Sequence, residues 1–309
     1  MKANEKLLYI MLAVVVSLWG LNVVMVKYLT TLPPLFVSSL RMSIAALCLM
    51  PIIFVYRKKL RLTKVDWLLI ASIGASSIAM HQVTLAIGVQ YTTAGNGSLI
   101  LALNPLVTAL LAMLFLGEPM FWRKAIGIGI GFSGVLLVVL SQHGGVHLNG
   151  MGDAIMFFSM LMYVAGGLLI RKLVMRNVPV LLVTALAQQF GALFLWAATA
   201  FTYPVSAYQE ITVAGFQWFV ICVSAVLSSA LGTLGWNYGI RQLGASRTTV
   251  FLNGMPLASL LFAALFLHEP LQWIHIVALG MIVTGVYLGS KSIPQRREAR
   301  RPHKHAKVM

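Results

Sequence analysis

The sequence predicts an all-α membrane protein of ten transmembrane helices, built as two inverted-topology five-helix repeats. Three observations predict it: charged residues are scarce, the basic ones gather on alternate connections, and the second half of the chain repeats the first. Of 309 residues, 59% are apolar and only 10% charged, against roughly 25% charged in ordinary globular proteins. A soluble fold of this size needs a polar exterior, whereas a protein in lipid turns apolar side chains outward on every helix.

Stretches without Asp, Glu, Lys or Arg run over 7–26, 67–116, 125–152, 179–209, 211–240 and 248–267. A helix crosses the hydrocarbon core in about 20 residues, so the longer stretches hold a turn and two passes. Divided at polar and Gly/Pro positions, the chain yields spans at 7–28, 35–56, 67–88, 94–116, 124–141, 152–171, 180–202, 215–238, 247–267 and 273–290. The first follows Lys2 and Lys6 as a signal peptide would, but its apolar run reaches Val26 without a small-residue cleavage pattern, so it reads as a retained helix. Cys48 and Cys222 fall inside spans, where small soft side chains serve packing rather than a disulfide or a metal.

A net charge of +16 raises the question of nucleic acid. That reading needs a basic face on a folded polar domain, and here the basic residues lie between apolar spans. With Met1 in the cytoplasm, 21 of the 23 Lys and Arg fall in cytoplasmic segments, leaving only Lys27 and Arg41. This positive-inside bias predicts an even number of passes in the inner (plasma) membrane with both termini cytoplasmic. The expected partner of these basic connections is therefore the lipid bilayer, not nucleic acid.

Sliding the chain by 151 residues aligns LVTALLAMLFLGEP, starting at Leu106, with LASLLFAALFLHEP, starting at Leu257. Pro105 meets Pro256, Glu118 meets Glu269, Pro119 meets Pro270, Gly129 meets Gly280 and Gly134 meets Gly285. Trp19 with Lys27 is echoed more loosely by Tyr163 with Arg171. The repeats are bounded at 7–141 and 152–290, followed by a basic cytoplasmic tail at 291–309 that anionic lipid attracts. Because each repeat holds an odd number of spans, the second enters the membrane from the opposite face.

The doubled Glu-Pro blocks after Leu116 and Leu267, Trp19-Gly20 in the first span and the five-plus-five layout resemble the drug/metabolite transporter superfamily, specifically its EamA-like branch. The resemblance runs from about Leu7 to Ser290. It implies an export-type carrier of metabolites or amino acids, with a central cavity walled by most helices and the fifth and tenth at the periphery. Members differ in substrate, so the resemblance names none.

Arg41 is the most unusual side chain. A guanidinium at mid-bilayer costs on the order of 2.5–3.5 kcal/mol on insertion scales, so Arg41 either faces protein and water or snorkels to the headgroups. Lining a cavity, it would favour a substrate bearing a carboxylate. The seven acidic residues all sit at span ends or in loops, which argues against a membrane-embedded carboxylate that exchanges protons for lipophilic cations. His81 is either a proton relay or a hydrogen-bonded packing residue.

The remaining substrate-binding candidates are polar or aromatic groups inside spans: Trp19, Asn22, Asn104, Tyr163, Gln188, Trp236, Asn237 and Asn253. Each also reads as interhelical glue, but together they occupy corresponding helices of both halves, as a shared central site requires. Asn104-Pro105 and Met255-Pro256 read as paired interior kinks, which mark binding sites in inverted-repeat carriers. Glu118-Pro119 and Glu269-Pro270 read as structural: Pro opens the following helix and the carboxylate caps it.

The glycines of Gly129-Ile-Gly131-Phe-Ser-Gly134 match a dinucleotide fingerprint but follow no strand. With Gly127, Gly285 and Gly289 they read as close helix packing or a homodimer contact. No nucleophile–base pair, metal cluster or phosphate loop stands in a plausible context, His303 and His305 in the tail included, so neither an enzyme nor a cofactor is expected. The sequence thus predicts a secondary transporter exporting a small polar or zwitterionic metabolite by alternating access. Multidrug-cation efflux and a non-transporting scaffold are the alternatives.

Overall fold

The computed structural model describes residues 3–56, 62–92, 97, 100–141, 150–204, 206, 211–267 and 273–290. Every regular element among them is helical. In the first half these are α1 (Ala3–Lys27), α2 (Pro34–Tyr56), α3 (Lys64–Ile73, Gly74–Met80 and His81–Tyr91 in succession), α4 (Asn104–Leu116) and α5 (Trp122–Ser141). In the second they are α6 (Met151–Met175), α7 (Val180–Thr202), α8 (Gly215–Ser224, Ala225–Gly232 and Thr233–Leu243), α9 (Ala245–Thr249, Val250–Gly254 and Met255–Leu267) and α10 (Trp273–Ser290). Seven are long and apolar enough to cross a membrane: α1, α2, α3, α6, α7, α8 and α9. Two shorter apolar helices join them, Asn104–Leu116 and Ile276–Gly289. The chain is a multi-pass membrane protein. Large apolar side chains such as Phe201, Val55 and Phe115 are exposed on its outside.

The internal repeat survives in backbone detail. Lys64–Ile73 and Gly215–Ser224 are the same length and separated by 151 at both ends. Each passes into a wider π-helical turn, at Gly74 in α3 and Ala225 in α8, again 151 apart. Asn104–Leu116 and Met255–Leu267 keep the same shift at both ends.

That register corrects the expected proline kinks. Pro105 and Pro256 each occupy the first turn of a helical segment, which follows a turn residue, Leu103, just ahead of α4 and a 3-10 segment, Val250–Gly254, within α9. Proline suits a first turn because its missing N–H has no intrahelical partner there, so the chain breaks before the ring rather than bending around it.

The two halves interleave. α2 packs against α7, α3 against α6, α1 against α9 and α5 against α10, each pair taking one helix from either half. The glycine stripe explains how close α5 and α10 come: a Cβ on Gly285 would sit 2.6 Å from the carbonyl oxygen of Gly127 and from the N of Gly131. These glycines therefore serve helix packing inside the chain. Glu269 and Pro270, with the tail 291–309, lie outside the described residues.

Candidate functional site

A buried polar cluster forms where α1, α2 and α8 meet. Arg41 is 6% exposed and points inward, not to the headgroups. Its Nη2 donates to Asn22 Oδ1 on α1 at 2.7 Å and to Ser229 Oγ on α8 at 3.3 Å. Its Nε is buried and has no hydrogen-bond partner among the described residues. No carboxylate pairs with it among the described residues, where the ion pairs are Arg171–Glu118 and Arg176–Asp66. Ser229 lies in the π-helical turn of α8, as does Ser228, whose carbonyl accepts from Trp19 Nε1 at 3.0 Å while its hydroxyl donates to the Leu18 carbonyl at 3.1 Å. A π turn departs from the i−4 ladder, and here it is the segment that offers polar atoms to both α1 and Arg41. Trp19 also packs on Trp236 with ring centroids 5.0 Å apart.

Gln188 and Asn237 stand beside this cluster as fasteners. Gln188 Nε2 donates to the Met42 carbonyl at 3.3 Å and to its Sδ at 3.1 Å, tying α7 to α2 next to Arg41. Asn237 Nδ2 donates to Thr184 Oγ1 at 2.9 Å, tying α8 to α7. Both side chains are nearly fully buried, where an unpaired amide is costly.

Four other sequence-predicted residues lie elsewhere. His81 and Tyr163 meet between α3 and α6, ring centroids 5.2 Å apart. His81 Nδ1 lies 2.9 Å from Ser159 Oγ and 3.1 Å from its carbonyl oxygen, while the Tyr163 hydroxyl is buried without a partner. Asn104 accepts from Thr108 Oγ1 at 3.1 Å within its own helix. Asn253, 1% exposed, faces Gly131 of α5 with neither amide atom bonded.

A second cluster lies at one end of the bundle. Glu118 follows Gly117, which ends α4 in the left-handed region (φ 64°). The expectation that Glu118 caps the next helix, α5, is corrected: it reaches across to the second half and caps α9. Its Oε1 accepts from the Ala245 N–H at 2.9 Å, and its Oε2 from the Ser246 N–H at 3.1 Å and Ser246 Oγ at 2.8 Å. The carboxylate thereby fills the free-donor end of a helix 127 residues away in sequence, where the dipole favours negative charge.

The chain can approach this closely because Gly244, at φ 89°, precedes the helix; a Cβ there would sit 2.6 Å from Glu118 Oε1. Arg171 of α6 lies 3.2 Å from the same oxygen, and its Nη1 donates to the Arg241 carbonyl at 3.1 Å and the Ile240 carbonyl at 3.4 Å, at the end of α8. Lys124 Nζ donates to Ser246 Oγ at 2.7 Å and to the Pro119 carbonyl at 2.9 Å. At this end too, Asp66, just ahead of the apolar run that starts at Trp67, forms a capping box with Thr63 and takes Arg176 Nε at 2.7 Å. Hydrogen bonding from Thr63, joined by Arg176, outweighs desolvation and holds the Asp66 carboxyl below its ordinary range.

The opposite end has few charges among its described contacts: Gln217 Nε2 donates to Thr31 Oγ1 at 3.0 Å, and Thr92 Oγ1 to Asp153. Sequence reasoning missed Ser228, Ser229 and Ser246 because hydroxyls are common in apolar helices. It read Lys124 only as a topology marker, and Arg171 as a topology marker and an echo of Lys27 in the repeat.

Comparison with known proteins agrees with this architecture. The EamA-like transporter family matches residues 6–140 and 150–290. The transporter YvbV of Bacillus subtilis (strain 168), itself uncharacterized, is 30% identical over 297 residues, covering 94% of each chain. YyaM of the same organism, also an uncharacterized transporter, is 30% identical over 253 residues, 80% of each chain. A probable terminal-alkyne amino-acid exporter of Streptantibioticus cattleyicolor is 26% identical over 244 residues, 77% of this chain and 78% of that one. One solved crystal structure shares the fold with a TM-score of 0.77 at 14% identity, covering 92% of this chain and 96% of the other.

Proposed function

The chain belongs to the EamA-like transporter family, and from that premise we propose a secondary transporter of ten spans that exports a small polar or zwitterionic metabolite, such as an amino acid, by alternating access. One observation carries the reading: the buried polar cluster is shared between halves, Asn22 and Arg41 coming from the first and Ser229 and Trp236 from the second. Two inverted halves that meet at a polar centre can rock to open it to either side.

The Glu118 cluster supplies one gate of such a cycle. It gathers Lys124 and Arg171 at one end of the bundle, with Arg176 nearby, from two connections that the positive-inside rule assigns to the cytoplasm. In the proposed cycle Glu118 releases the N-terminus of α9 when that end opens inward. A related chain carries the name of a probable amino-acid exporter, which favours this solute class over lipophilic cations, as does a fixed positive charge in the interior. Counterflow tests it: purified protein in liposomes preloaded with an unlabelled amino-acid mixture should accumulate labelled amino acid transiently. No accumulation of any member, in either orientation of the protein, would refute the carrier reading.

A further inference from the structure

We propose that Arg41 is the docking group for a carboxylate on the transported solute, and that the solute's carboxylate replaces Ser229 as the guanidinium's partner on binding. The inference rests on the transport reading above and specifies its recognition chemistry.

The argument is one of missing charge. A guanidinium carries a full charge in every state of the protein, and one so nearly covered must be neutralised or solvated. Among the described residues the neighbouring side chains offer it only neutral acceptors, an amide oxygen and a hydroxyl, and both fall on Nη2. Nε remains bare. A guanidinium presents donors in a fixed fork, so a group that bonds Nε and an adjacent Nη nitrogen together carries two oxygens side by side; of the oxyanions that pair this way, the carboxylate is the one that the proposed solute class bears.

Compared with Asn22, Ser229 is the weaker partner, at 3.3 Å against 2.7 Å, and it belongs to the other half of the molecule. The bond to Ser229 is thus a thin tie between halves that a stronger acceptor displaces. Loss of that tie on binding gives the solute a differential interaction with two arrangements of the halves, which a carrier needs if binding is to favour movement. Trp19 lies one helical turn from Asn22 on α1 and bonds the carbonyl of Ser228, the neighbour of Ser229, so it and its partner Trp236 bring an aromatic pair to the same polar cluster. It suits the carbon frame behind the carboxylate and excludes nothing by charge.

The test joins binding to flux. Full-length protein in detergent is titrated with amino acids, their α-hydroxy acids, their amides and their decarboxylated amines, read by tryptophan emission, and the same compounds then compete in liposome counterflow. Acids and hydroxy acids should bind and compete, while amides and amines should do neither at tenfold higher concentration. Arg41→Gln should lose the acid response, and Arg41→Lys should keep it with KM raised at least tenfold and a smaller change in kcat. Size-exclusion profiles and melting curves establish that each variant is folded.

If acids bind in an Arg41-dependent way without counterflow, the docking role stands and the carrier reading fails. Equal competition by amines or amides, or wild-type flux in Arg41→Gln, overturns the docking role and leaves the carrier reading intact. Flux that requires chloride and ignores the carboxylate would mean that Arg41 holds an inorganic anion, and would overturn it as well. Neither binding nor flux with any acid overturns both.

Discussion

Arg41 and Arg171 are the same side chain solved in two ways. Arg171 sits at an end of the bundle, with 25% of its side chain exposed, beside the Glu118 carboxylate and over two backbone carbonyls. Arg41 sits inside the bundle, almost wholly covered, with an amide and a hydroxyl and, among the described residues, no carboxylate; the Nε of each arginine is buried without a hydrogen bond, but only that of Arg171 has an acid 3.2 Å away. Where the charge fixes structure, the protein supplies the counter-charge itself. Where the counter-charge is absent, the charge is kept at a standing cost, and a cost that folding does not need points to function.

Supplying Arg41 with an internal carboxylate breaks this contrast most sharply. Ser229→Asp places an acid where the hydroxyl now accepts from Nη2. The variant should hold or raise its melting temperature while carboxylate flux falls by a factor of about 100, the scale of a lost charge-assisted pair. A variant that melts normally and still carries its acid at the wild-type rate would show that Arg41 is spare.

The next largest effect is at the other arginine. Glu118→Ala strips three hydrogen bonds from the start of α9 and leaves Arg171 without its acid. Losing a cap and a largely buried partner together should cost about 3 kcal/mol, read as a lower melting temperature. Glu118→Gln keeps an acceptor for one N–H and should fall between. If the cluster also acts as a gate, both variants expose a cysteine placed at Ser246 to aqueous thiol reagents faster than the cysteine variant alone.

How much of this the sequence discloses follows from the range of each interaction. The spans are legible because hydropathy is read over a single helix, and the repeat because a shift of 151 keeps α3 and α4 in step with α8 and α9. Arg41 is legible because its insertion cost is a property of one residue. Its partner Ser229 is not: that contact spans 188 residues and depends on a π turn that no local pattern of side chains announces. The same limit hid the true target of Glu118, since a carboxylate before a helix fits the adjacent cap as well as a distant one, and only packing chooses.

A smaller effect is expected at the Asp66–Arg176 pair. Because the folded carboxyl is held below its ordinary range, its contribution is present at neutral pH and is lost as pH falls through that lowered value. Arg176 is 42% exposed, so solvent screens the pair and Asp66→Asn should cost about 1 kcal/mol, mostly through the capping box with Thr63. Melting curves that coincide at acidic pH and separate toward neutrality are the expected signature.

The smallest effect tests whether an unpaired buried donor is by itself a mark of function. The Tyr163 hydroxyl has no partner beside His81, much as Arg41 Nε has none. The two differ in what is left unpaired: a phenol is neutral, and deleting it removes the unsatisfied group without exposing a second one, so Tyr163→Phe should be neutral or stabilising by about 0.5–1 kcal/mol. Flux should stay within about twofold of wild type. A large loss of flux in Tyr163→Phe would move the solute toward α3 and α6, and it would mean that missing hydrogen bonds, rather than missing counter-charge, locate the binding groups in this bundle.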